Sequence, residues 1–326
     1  MLRPSRSSLL TAGVALAAGL LALPGPAYAA DSTTSLDAAA MAAELKTVAD
    51  ASTAAAHDGW KITDTYSEGS MSGSSSVVVD RTHKIAYTRS RFGTDGYAVY
   101  VVAGRGVYQS LTGPDERAAV KMMGRPGVRY QFTAMPSLTL EDYLGGGLGT
   151  PAAALADSKY AGTKTVHDDG SSDYAYHDDY EMAITLHVSA AGTLSSGRGT
   201  GKGFTDTTAY AYGAQHVTLP TASVTISSTT LAKGVAYVNM KTTVGEVASE
   251  GAADTRRAAH GHRIKVAKLR KIVRQDVADF DRGTGTKMIK VATVDRGVLL
   301  RATNPWTHKS VSFTVKAYGK KLAVKG

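Results

Sequence analysis

Not one of the 326 residues is a cysteine, and that absence constrains the fold more than any motif the chain contains. Disulfide staples, thiol nucleophiles and cysteine-ligated metal sites are excluded together. The folded state must therefore rest on buried apolar surface, and a chain of this length can bury one large core or two modest ones.

The start of the chain has the layout of a secretory signal. Arg3 and Arg6 give a positive beginning, residues 9–23 are apolar apart from Thr11 and glycines, and Ala27-Tyr28-Ala29 fits the small-x-small pattern that precedes cleavage. Residues 1–29 are thus expected to be a signal peptide, with a mature chain beginning at Ala30. The apolar run is short for a membrane span, and Pro24 and Pro26 break it. A lipid-anchored exported protein would carry an acylated cysteine just past that run, and none is present. The expected location is extracellular, either secreted or associated with the cell wall.

Alternation is the next signal. Short runs such as Trp60-Lys61-Ile62-Thr63, Ser76-Val77-Val78-Val79 and residues 85–88, 97–102 and 107–110 are separated by turn-forming stretches rich in Gly and Asp. They read as an antiparallel meander. A second set follows at residues 160–166, 173–176, 181–188 and 204–212. Sixteen Tyr against five Phe suits strands with one wet face, since the ring packs while its hydroxyl stays hydrated. An alanine-rich helix over residues 36–56, with Thr34 and Asp37 as a capping box and Leu36, Ala40, Ala43 and Thr47 on its packed side, precedes the first meander. Short helices are expected at residues 114–123, 138–144 and 151–157, the last two divided by Gly145-Gly146-Gly147. The fold class is therefore α+β, with helices gathered on one side of the sheet.

Charge divides the chain. Residues 30–240 hold 16 Lys or Arg against 21 Asp or Glu, whereas residues 241–326 hold 19 against 7. A boundary near 240, after an apparent strand over residues 222–240, separates a first domain (30–240) from a basic module (241–326). In that module a helical stretch over residues 252–280 can place Ile264, Ala267, Ile272, Val273, Val277 and Phe280 on one side, and three short strands follow. Lys265, Lys268, Arg270, Lys271 and Arg274 cluster on the helix and are the candidate contacts to an anionic wall polymer or membrane surface. Nucleic acid is not an expected partner of an exported protein.

The order of these elements resembles a known family. The leading helix, the meander ending in residues 99–108 with Gly104 and Gly106, the helical middle, a second meander with D-x-x-G-x-L-like spacing at Val188 to Leu194, and the closing Tyr210, Tyr212, Gly213 and Pro220 are similar to the LolA/LolB-type lipoprotein carriers and the LppX/LprG-type actinobacterial lipoproteins. The resemblance spans roughly residues 32–230. It implies an antiparallel half-barrel curled around helices, with an apolar cavity for acyl chains. The actinobacterial members usually carry the lipid-anchoring cysteine that this chain lacks.

Such a site needs no catalytic motif. An acyl chain of about a dozen methylenes, buried at ~0.8 kcal/mol each, supplies ~10 kcal/mol against an association cost of ~4 kcal/mol or more. The candidate lining is Trp60, Val99, Val101, Met122, Met123, Leu140, Leu144 and Leu148, with Ile62, Met135 and Leu138 as further wall residues. The methionines and the glycine-flanked leucines suit a portal. The expected ligand is a lipid or another apolar small molecule. The alternative is an envelope interaction protein with a filled barrel and no ligand.

Enzymatic readings find little support. The triplets His167-Asp168-Asp169 and His177-Asp178-Asp179 permit a metal site or an acid–base carboxylate pair, yet Asp168 to Asp173 also reads as turn chemistry, and the hairpin is preferred. Gly197 to Gly203 lacks the Ser or Thr that a phosphate loop places after its Lys. His260 and His262 read as a solvated helix entry. No nucleophile elbow or zinc-protease motif occurs. No catalytic residue, cofactor or metal site is assigned.

Overall fold

A computed structural model describes residues 31–145, 155 and 159–326. The expected signal peptide and Leu148 lie outside the described residues, as does most of the expected helix over residues 151–157. Among the described residues no helix is long and apolar enough to cross a membrane.

Strands β1 (Ser32–Leu36), β2 (Gly59–Glu68), β3 (Met71–Asp80), β4 (Ile85–Phe92), β5 (Asp95–Val102), β6 (Gly106–Ser110), β7 (Tyr130–Ala134), β8 (Gly162–Val166), β9 (Ser172–His177), β10 (Ala183–Val188), β11 (Leu194–Gly201), β12 (Phe204–Tyr212) and β13 (Thr225–Ser227) form one open sheet. Its order is β1-β8-β9-β10-β11-β12-β2-β3-β4-β5-β6-β7-β13. Two meanders are thus joined where β12 lies antiparallel to β2, with Tyr212 opposite Trp60; only β13 runs parallel to its neighbour β7. The α+β half-barrel class expected from the sequence is the class found.

Register fixes the two faces. Trp60 lies opposite Val79, Val79 opposite Ala86, and Ala86 opposite Val101, so these side chains share the concave face. Tyr87, Tyr100, Tyr108 and Phe132 are successive cross-strand neighbours on the convex face. Ring centroids there are 4.5 Å apart for Tyr87 and Tyr100 and 4.7 Å for Tyr108 and Phe132. Tyrosine is used as its numbers implied, packed by the ring on a face that water still reaches.

Helix α1 (Ala38–Ala55) covers one half of the concave face. Its N-cap is Asp37, whose Oδ1 accepts from the Ala40 amide at 2.8 Å. The packed side differs from expectation. Met41, Leu45, Val48, Ala49 and Ser52 are buried, against Tyr174, Leu186, Val188 and Leu194, whereas Thr47 is exposed and Leu36 ends β1. The large side chains at 41, 45 and 48 bury more area than alanines, and that sets the rotation of the helix. α3 (Leu140–Gly145) covers the other half.

The stretch read as a strand over residues 222–240 is mostly α4 (Ser228–Val238), capped by Ser227 Oγ accepting from the Thr230 amide at 3.2 Å. Leu231, Gly234 and Tyr237 are buried at helical spacing. A Cβ on Gly234 would stand 3.1 Å from that of Ala119, so the glycine permits the close approach of α2 (Pro114–Met122).

The C-terminal part holds two long helices rather than one. α5 (Met240–Ala259) ends at His260, which adopts a left-handed conformation with φ 44°; α6 (Val266–Thr284) then begins. Both pack on a four-stranded sheet of β14 (Lys290–Val294), β15 (Gly297–Thr303), β16 (Ser310–Tyr318) and β17 (Lys321–Lys325), one strand more than the sequence led us to expect. Leu269 and Val273 are fully buried and Val277 nearly so. Ala267 faces water, because the i, i+4, i+8 stripe from Leu269 to Val277 outweighs a methyl group. Tyr237 and Met240 also join this core.

Candidate functional site

The concave face of β2 to β5 carries an apolar cluster roofed by α3. Trp60, Val79, Val101, Leu140 and Leu144 are buried in it, with Ile62, Val99, Leu138 and Tyr143 packed alongside. Five of the eight residues proposed as ligand lining therefore meet here: Trp60, Val99, Val101, Leu140 and Leu144. Met122 and Met123 stand elsewhere. Met122 packs on the C-terminal core, where its Sδ accepts from Asn304 Nδ2 at 2.9 Å, and Met123 packs between α2 and α4. The short helix α2 turns these adjacent side chains toward two different neighbours, neither of them the concave face.

The roof is a single helical turn and a half with few ties. Thr139 Oγ1 accepts from the Asp142 amide, and Asp142 Oδ2 accepts from the Thr139 amide, both at 3.0 Å. This reciprocal cap holds the Asp142 carboxyl below its ordinary range, the Thr139 hydroxyl bond being the larger cause and its amide bond the next. Across the cluster, the Tyr143 hydroxyl meets Thr88 Oγ1 at 3.0 Å. Burial pushes the Tyr143 phenol up.

Trp60 is wholly buried, and its indole N–H has no hydrogen-bond partner among the described residues. The Arg81 guanidinium lies 5.1 Å from its ring centroid and 3.6 Å from Glu141 on α3. A recess of about 510 Å³ opens beside this point, bounded by Arg81, Lys84, Gly104, Leu138, Leu140 and Glu141.

The same face continues outward past the roof. Tyr66 is in phase with Trp60 along β2, Phe92 with Ala86 along β4, and Tyr97 with Val101 along β5. Phe92 is 50% exposed and Tyr97 46%. With Tyr66 and Leu111 they line a second recess of about 640 Å³, beside Arg91 and Arg117. That volume falls within the range of small-molecule pockets, ~300–1,000 Å³. This exposed aromatic rim escaped the sequence reading, because Phe92 and Tyr97 flank the Gly93–Gly96 turn and only the register shows which face they share.

Between the two meanders the concave face has a polar waist. Thr208 Oγ1 donates to Asp64 Oδ1 at 3.0 Å, and Asp206 lies beside Asp64. Burial, followed by the neighbouring Asp64 carboxyl, pushes Asp206 up to about 6. Its Oδ1 is buried with no partner among the described residues. Burial, and then the charge of Tyr212, raises Tyr210 to about 12.

No family model matches the chain, and no curated protein is significantly similar. Among solved structures it is similar to LprF. The crystal structure of LprF from Mycobacterium bovis matches over 55% of this chain and 96% of its own, with 10% sequence identity and a TM-score of 0.29.

Asp169 Oδ1 accepts from the Ser171 amide at 2.8 Å, and Asp178 Oδ1 accepts from the amides of Tyr180 and Met182 at 2.8 and 2.9 Å, so both His-Asp-Asp triplets contribute turn carboxylates. Gly197, Gly199 and Gly201 lie on β11, where Met182 and Ile184 pack over Gly199. His260 ends α5. Of the five clustered cations, Lys265, Lys268, Lys271 and Arg274 are exposed and Arg270 is half-buried; Lys268 donates to the Ala258 carbonyl. Arg270 instead donates to the carbonyls of Gly297 and Val294 at 3.2 and 2.9 Å, and Arg274 donates to Thr293 Oγ1 at 2.9 Å. These two arginines tie α6 to the β14–β15 hairpin.

Proposed function

We propose that this chain is an exported, non-enzymatic carrier that holds a lipid or acyl chain against the concave face of the half-barrel. The observation that carries the reading is the buried Trp60 indole N–H, without a partner among the described residues, inside a largely apolar cluster. An unpaired buried donor costs ~1–3 kcal/mol, and the carbonyl of an ester or carboxyl group on a ligand would satisfy it. The rest of such a molecule would run along the in-phase apolar side chains toward Tyr66, Phe92 and Tyr97. The proposed contacts are Trp60, Val99, Val101, Leu140 and Leu144, with Leu148 as a residue of the wider wall.

In this reading residues 30–240 carry the ligand. Residues 241–326 form a basic module that holds the protein near an anionic wall polymer or membrane. Native mass spectrometry of the secreted chain tests it directly: co-purified lipid is expected, and a fluorescent fatty acid should bind saturably and lose affinity in Leu144→Asp. Protein that leaves the cell bare and binds no apolar probe would instead be the filled-barrel interaction protein.

A further inference from the structure

We propose that His167, Asp173 and His187 form a binding site for a zinc-class divalent cation on the convex face of the sheet, opposite α1. The three residues come from neighbouring elements. Asp173 on β9 lies directly opposite His187 on β10. His167 follows β8 and is fixed by its hairpin, its amide donating to the Ser171 carbonyl at 2.9 Å and its carbonyl accepting from the Gly170 amide at 3.0 Å.

The donor atoms already converge. Asp173 Oδ1 stands 2.6 Å from His187 Nδ1, and Asp173 Oδ2 stands 3.2 Å from His167 Nε2. One ligand atom from each residue lies within 4.8 Å of the others. Ligands at ~2.0–2.1 Å around a tetrahedral zinc are separated by roughly 3.3 Å, so small side-chain rotations bring the three donors onto one ion.

A fourth residue supplies what such sites usually need. Asp31 Oδ2 lies 3.1 Å from His167 Nδ1. With a cation on Nε2, that contact would hold the ring proton on Nδ1, the carboxylate–histidine–metal arrangement that fixes tautomer and raises ligand basicity. Two carboxylates against two imidazoles also give the site the negative charge a dication requires. The side chains of His167, Asp173 and His187 are 25%, 35% and 43% exposed, so water can complete the coordination.

Ligand type selects the ion. Two imidazoles with one carboxylate suit zinc or copper, whereas calcium and magnesium demand a shell of oxygens. A second histidine–carboxylate group among the described residues, Asp80 with His83 and His216, differs. Both Asp80 oxygens are engaged by the backbone N–H and ring of His83, at 2.9 and 2.8 Å, so that carboxylate caps the β3–β4 turn.

The test is titration of untagged, chelator-treated full-length chain with zinc chloride, by calorimetry and thermal melting. One equivalent should bind and raise Tm, and calcium chloride should do neither. Asp173→Asn and His187→Ala, each confirmed folded by circular dichroism, should weaken zinc binding by more than tenfold. Asp31→Ala should weaken it by about tenfold, and His83→Ala should leave it unchanged. Absence of saturable zinc binding overturns the assignment, as does binding that survives His187→Ala or is lost equally in His83→Ala.

Discussion

The Tyr143 hydroxyl and Thr88 Oγ1 meet at 3.0 Å across the apolar cluster, and this side-chain bond reaches from α3 to the strand beneath it. Its strength sets how readily the helix lifts. Tyr143→Phe keeps the ring in place and removes about 1 kcal/mol, a factor of roughly 5 in an opening equilibrium. Amide hydrogen exchange over residues 140–145 should accelerate by that factor, with little change in Tm, and uptake of a fluorescent fatty acid should speed up in parallel. Unchanged exchange would mean the bond does not hold the helix down.

The half-barrel was legible in the sequence because alternation and glycine turns specify strands locally. The concave site was only half legible. Trp60, Val101, Leu140 and Leu144 were recognisable as apolar, but their meeting depends on the Trp60–Val79–Ala86–Val101 register, a property of strand pairing that no single run encodes. Met122 and Met123 misled for the opposite reason: their chemistry suited a portal, and the rotation of α2 decided otherwise. The spacing of Met41, Leu45 and Val48 did encode the packed face of α1, though the surrounding alanines masked it. The convergence of His167 with His187 was hidden because twenty residues separate them in sequence.

Asp206 makes stability fall with rising pH. Its folded value is about 6 against an ordinary 3.8, through burial and then Asp64, so the folded state binds the proton more tightly than the unfolded chain. That contribution is complete below about pH 4 and is lost as pH rises through 6. Asp206→Asn should therefore stabilise the protein at pH 7.5, by about 1 kcal/mol once solvent screening is allowed for. It should do nothing at pH 3.5. Thermal melts of both proteins across that range decide it; a benefit that is independent of pH would assign the effect to packing instead.

Gly297 makes the tightest backbone approach in the C-terminal sheet. A Cβ there would lie 1.8 Å from the Val315 carbonyl oxygen, a distance no rotamer change relieves. Gly297→Ala should force β15 away from β16 and cost about 2–3 kcal/mol, the scale of other overpacked sites. Exchange protection should fall over residues 297–303 and 310–318. The amides of β2 to β5 should be unaffected if the two cores melt separately.

The lysines and arginines of α6 and its N-cap should respond differently to substitution. Lys265 and Lys271 are exposed, whereas Arg270 holds the Gly297 and Val294 carbonyls. Near an anionic surface each exposed cation contributes ~1 kcal/mol. Lys265→Ala with Lys271→Ala should therefore weaken binding to phosphatidylglycerol vesicles by roughly 30-fold at 0.1 M salt, with Tm unchanged. Arg270→Ala should lower stability by about 1–2 kcal/mol through its two lost hydrogen bonds, and weaken vesicle binding only in proportion to one charge. The contact between helix and surface is screened, since the Debye length contracts from ~10 Å at 0.1 M to ~3 Å at 1 M, so wild-type protein should release from the vesicles at high salt. Retention at 1 M salt, or an unchanged affinity in the double lysine variant, would show that the basic excess after residue 240 serves solubility and not attachment.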